Sequence, residues 1–142
     1  MRKLIVALAA SLAVGLIAAG CGSDDNGDGD TLSKQAYIAQ ADANCDKADK
    51  KLDAAEPKGK ATQADFEKFT TDELVPNIQG QIDFIRDLNG PQEVEDQVNP
   101  ILDTAQEAID EIEADPSQLE RNGKLDQAGQ ELHKYGFKQC GG

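Results

Sequence analysis

Residues 94–112 read VEDQVNPILDTAQEAIDEI. Val94, Val98, Ile101, Leu102, Ala105, Ala108, Ile109 and Ile112 recur at steps of three and four, which puts them within about 120° on a helical wheel. Glu95, Asp96, Asp103, Glu107, Asp110 and Glu111, with Glu113 just beyond, take the opposite side. That period belongs to an amphipathic helix with one face in a core, and not to a strand. The phase survives Pro100, so the spacing predicts a kink with the proline towards solvent. Asn99–Pro100 as a cap and first turn is the alternative.

The same period appears on both sides. Upstream, Tyr37, Ile38, Ala41, Cys45, Ala48 and Leu52 form a stripe behind Ser33, a suitable N-cap, and Glu56–Pro57 should stop that helix. Thr62 and Asp65 have the spacing of a capping box ahead of Phe66 and Phe69. Leu74, Val75, Ile78, Ile82 and Ile85 make a further stripe, with Leu88 at its edge. The two phenylalanines lie out of its phase. That predicts a break near Thr70–Thr71, with Pro76 in the first turns of a restarted helix, or else one kinked helix. Asn89–Gly90–Pro91 ends this segment in a turn. Downstream, Asp115–Pro116–Ser117 opens a short turn. Asn122–Gly123 then precedes a last helix carrying Leu125, Ala128, Leu132 and Tyr135, closed by Gly136. No stretch alternates with period two, so no sheet is expected. The expected fold is all-α, a small antiparallel bundle of about four main helices over residues 34–142.

The chain has 142 residues, with 27 Asp and Glu against 14 Lys and Arg. Two of the bases, Arg2 and Lys3, stand before an apolar run, Leu4–Ala19, broken only by Ser11 and Gly15. The run falls short of the ~20 residues that cross a bilayer. A basic start, an apolar middle and small residues at the end make residues 1–20 a cleaved signal peptide. From Cys21 onward 27 acids face 12 bases, a formal charge of −15. So much negative charge repels nucleic-acid phosphates, and no nucleic-acid partner is expected. Large aliphatics and Phe make up only 22 of those 122 residues, close to the composition of disordered chains. Their alignment on helical faces argues for folding, but the core is thin.

Ala18–Ala19–Gly20–Cys21 resembles the lipobox of bacterial lipoproteins, with Ala18 where that motif usually carries Leu. The resemblance implies cleavage before Cys21 and a diacylglycerol on its thiol. Ordinary secretion, with Cys21 left as a free thiol, and a retained signal anchor are the alternatives. Residues 21–33 then read as the lipidated cysteine plus a flexible acidic tether, GSDDNGDGDTLS, spanning roughly 20 Å root-mean-square. Asp24, Asn26 and Asp28 ahead of Gly29 also match the first half of an EF-hand calcium loop. The second half fails, because Thr31 and Gln35 stand where a branched aliphatic and a bidentate Glu belong. A plain tether is the main reading and a cation site the lesser one.

Three cysteines in an exported chain leave one over. Lipid on Cys21 would leave Cys45 and Cys140 to pair across 95 residues, a closure of ~4–5 kcal/mol in the chain-entropy model. Two free thiols serving redox or metal chemistry are the alternative, without a CxxC spacing or neighbouring ligands to support it.

Little else suggests chemistry. His133, the single histidine, lies seven residues from Cys140 and invites a Cys–His pair, but a bridged cysteine is no nucleophile. Glu107, Asp110 and Glu111 share a helix face, yet an acid catalyst needs a carboxyl in an apolar pocket, and these lie opposite the apolar stripe. Tyr37, Phe66, Phe69, Phe84, Tyr135 and Phe137 read first as core and second as the walls of an apolar pocket.

Three segments carry a wider resemblance: LIAAGCGSDD around Cys21, YIAQADANCDKAD around Cys45 and KYGFKQCGG around Cys140. They resemble small membrane-anchored lipoproteins of high-GC Gram-positive bacteria. That resemblance implies the lipid at Cys21 and the Cys45–Cys140 pair, and brings no catalytic residue with it. The expectation is a non-enzymatic, monomeric surface lipoprotein on the extracytoplasmic face of the cell membrane, with no cofactor beyond the acyl modification. Its helical domain would bind a protein or an envelope component. The alternative is a solute-binding lipoprotein, for a cation at acidic carboxylates or a small apolar ligand within the bundle.

Overall fold

The computed structural model describes residues 31–141. Five α-helices follow in order: α1 Lys34–Ala55, α2 Gln63–Phe69, α3 Val75–Asp87, α4 Gln92–Ala114 and α5 Gly123–Tyr135. A π-helical turn, Thr70–Leu74, joins α2 to α3, and a 3-10 turn, Pro116–Arg121, leads from α4 to α5. There is no strand among the described residues. The four long helices form a bundle, as the hydrophobic period predicts.

Local chemistry fixes the ends. Ser33 Oγ accepts from the Ala36 N–H at 3.2 Å. Thr62 and Asp65 form the reciprocal capping box, the Asp65 carboxylate accepting from the Thr62 N–H at 2.7 Å. Asn122 caps α5 by accepting from the Lys124 N–H at 3.1 Å. Gly136 ends α5 with φ of 127°, a conformation that side chains with a Cβ resist. The described chain also starts in contact: Leu32 packs against the core and its N–H donates to the Asn89 carbonyl at 2.8 Å. The packed domain thus includes Leu32, two residues before Lys34.

All eight residues of the α4 stripe are buried, and α4 runs unbroken through an exposed Pro100. The expected break near Thr70–Thr71 is absent. The chain stays helical from Gln63 to Asp87, because the Val75 N–H reaches back five residues to the Thr70 carbonyl. One extra residue in a turn rotates every later side chain about the axis. That rotation explains why Phe66 and Phe69 are out of phase with Ile78, Ile82 and Ile85. Thr70 is buried there, its hydroxyl donating to the Phe66 carbonyl at 2.9 Å. Pro76 follows in the first turn of α3, where its missing N–H is absorbed.

Packing runs in one direction around the bundle. α1 lies on α3, α3 on α4, and α4 most extensively on α5. α1 and α5 share no comparable contact, so the fourth seam is not closed by helix on helix.

Candidate ligand cleft between α1 and α5

What closes part of that seam is the C-terminal tail. After Gly136 the chain turns back, and Phe137 inserts into the core, edge-on to Tyr37 with ring centroids 6.4 Å apart. Tyr37 is itself buried, its hydroxyl donating to the Ile85 carbonyl at 3.2 Å. Burial first, then Glu95 and Tyr135, pushes its phenol pKa up to about 12. Asp42 on α1 then accepts backbone N–H groups from Lys138 and Gln139, both at 2.9 Å, and from Cys140 at 3.4 Å. Cys45 and Cys140 are joined by a disulfide, their Cα atoms 5.2 Å apart. Gly141 lies backbone to backbone on Gly129 of α5, so close that a Cβ on either glycine would strike the other's main chain. One charge, one bridge and one glycine pair therefore hold the tail across α1 and α5.

Beyond the tail the seam stays open as a cleft of about 290 Å³. Cys45, Asp49 and Leu52 form its α1 wall, and Leu125, Asp126, Ala128, Gly129 and Leu132 its α5 wall. Ile78, Ile82 and Ile85 of α3 with Leu102 and Ala105 of α4 line it too, and Cys140 and Gly141 close one end. The lining is mostly aliphatic. Among the described residues its polar side chains are Asp49, Gln81 and Asp126, and no Lys, Arg or His lines it. The Gln81 amide N–H₂ donates to Asn77 Oδ1 at 2.8 Å, and Asn77 donates in turn to the Ala48 carbonyl at 3.0 Å. Burial raises the pKa of the Asp49 carboxyl above the ordinary aspartate range, and neighbouring Asp53 and Asp46 add to that rise.

The residues singled out from sequence meet different fates. Cys45 and Cys140 come together as a disulfide. Cys21, Asp24, Asn26 and Asp28, and with them the lipid and the half calcium loop, lie outside the described residues. His133 is exposed, with Nδ1 3.1 Å from the Phe137 carbonyl, and Cys140 is already bridged. On the acidic face, Lys124 bridges Glu107 and Glu111 at 3.2 and 2.7 Å. Its hydrogen bond holds the Glu111 carboxyl below its ordinary pKa, the opposite of what an acid catalyst requires. Among the described residues no three His, Cys, Asp or Glu side chains converge as metal ligands. None of the six aromatics lines the cleft: Tyr37 and Phe137 are core, as first read, whereas Phe66 is exposed and Phe69 lines a separate, more polar concavity with Lys58, Asp65 and Lys68.

Asp42, Asp49, Asp126, Gly129 and Gly141 carry the site without having been read from the sequence. One signal was available. Gly129 falls four residues after Leu125 on the apolar face of α5, where a missing side chain points to close backbone approach. No protein-family model matches the chain, and no curated protein or solved structure matches it. No helix among the described residues is long and apolar enough to cross a membrane.

Proposed function

We propose that this chain is an exported lipoprotein, held by lipid on Cys21 at the extracytoplasmic face of the cell membrane. Its domain is a non-enzymatic binder of a small apolar molecule in the α1–α5 cleft. The observation that carries this reading is the cleft itself, about 290 Å³ with aliphatic walls from four helices, at the lower end of the size range of small-molecule sites. Apolar surface left in such a concavity gains roughly 25 cal/mol for each Å² that a ligand covers. Docking of a protein or envelope component on the outer surface has less to stand on. Among the described residues Phe66 is the single large apolar side chain left well exposed, at 44%.

The test is a titration of the ¹⁵N-labelled full chain with octan-1-ol, followed by NMR. Saturable shifts at the amides of Asp49, Asp126 and Gly129, lost in Leu125→Trp, are the expected result. No saturable change at those amides would contradict the reading.

A further inference from the structure

Two of the cleft's three polar side chains are acids. Asp49 stands on the α1 wall and Asp126 on the α5 wall, and among the described residues neither receives a Lys or Arg. Gln81 gives one N–H to Asn77 and leaves its carbonyl oxygen as an acceptor. The cleft thus offers apolar walls, two carboxylates and an amide, with no cation among the described residues. Contrast the outer face of α4, where Lys124 is shared by Glu107 and Glu111 and Arg86 pairs with Asp103. The chain has basic side chains to place, and none lines this cleft.

Resting on the cleft reading above, we propose that the ligand is a cationic amphiphile, an apolar body carrying an ammonium or guanidinium head. The body lies against Leu52, Ile78 and Leu125, and the head meets the Asp49 and Asp126 carboxylates. A cation there supplies the opposite charge that the two walls lack, while an anionic head is repelled by both. The raised pKa of Asp49 has the same origin, since its negative charge is disfavoured by burial and by Asp53 and Asp46, and no Lys or Arg among the described residues pairs with it. Ion pairs open to solvent favour a bound cation by about one-and-a-half- to fivefold each. Two of them should favour the cation over a neutral molecule of equal chain length by a factor of about two to thirty.

The experiment compares three eight-carbon probes on the full chain by the same NMR titration: octyltrimethylammonium, octan-1-ol and octyl sulfate. The expected order is cation, then alcohol, then sulfate, each shifting Asp49, Asp126 and Gly129. In Asp49→Asn/Asp126→Asn the ratio of cation to alcohol affinity should fall to within about twofold. Glu113→Gln, on the solvent side of α4, should leave that ratio as it was. Equal affinity for cation and alcohol in the unaltered chain would overturn the charge selection, as would a preference that survives the double substitution. If octan-1-ol itself fails to move the cleft amides, the cleft reading falls first.

Discussion

The α4 side and the α1–α5 seam of this bundle are closed by different means. Around α4, eight aliphatic side chains at helical spacing press on α3 and α5, and the contact is continuous. At the α1–α5 seam the helices stand apart, and the tail spans them with a disulfide, the Asp42 carboxylate and the Gly129–Gly141 contact. A chain with few large apolar residues can complete one side by burial. The other is held by covalent and polar ties, and between those ties lies the space that becomes a cleft.

The largest effect should follow from cutting the bridge. Reduction, or Cys45→Ala/Cys140→Ala, releases a 95-residue closure of on the order of 4 kcal/mol. A fall in Tm of more than about 10 °C is expected by calorimetry. Hydrogen exchange should show α1 losing protection before α4 does. Unchanged melting in dithiothreitol would mean that the seam closes without its staple.

The glycine contact comes next, and its sign is diagnostic. Alanine in a helix interior is worth ~1 kcal/mol over glycine when nothing obstructs it. Gly80→Ala on α3 meets open space and should stabilise by up to that amount. Gly129→Ala drives a Cβ into the Gly141 main chain and should cost roughly 1–3 kcal/mol instead. Urea denaturation of the two variants side by side reads this difference. A stabilising Gly129→Ala would show that the tail is not seated on α5.

How much of this was legible in the sequence follows the same division. The α4 stripe, the Thr62–Asp65 capping box, the Gly136 stop and the cysteine pair are written in short spacings and composition. Every one reappears in the fold. The π-turn is not, because Thr70–Leu74 differs from an α-helix by a single residue of register, and its phase shift reads equally as a break. The Asp42 clamp and the cleft walls join residues far apart in the chain, as Asp42 and Lys138 do across 96 positions. Local pattern carries no information on such pairs. Nor does it distinguish an Asp on a solvated helix face from Asp49 on the rim of an apolar cleft.

The smallest effect concerns pH, where the cleft rim and the α2 cap should respond with opposite signs. The Asp65 carboxyl is held below its ordinary pKa by the Thr62 backbone and hydroxyl, so it adds stability above the unfolded value of about 3.8. That contribution disappears as pH falls through the folded value. Asp49, raised by burial, is the reverse: its contribution is complete below the unfolded value and lost as pH rises through the folded one. At neutral pH, therefore, Asp49→Asn should raise the urea midpoint and Asp65→Asn should lower it. Both differences should shrink on acidification below about pH 4. Equal and parallel responses would remove the distinction between cleft rim and helix cap.

The central claim is that the open seam holds an apolar ligand, and intermolecular NOEs from the octan-1-ol methyl to the chain test it most directly. The account predicts NOEs to Leu52 on α1 and to Leu125 on α5 from one bound molecule. NOEs to Phe66 alone, with none to either wall, would contradict it.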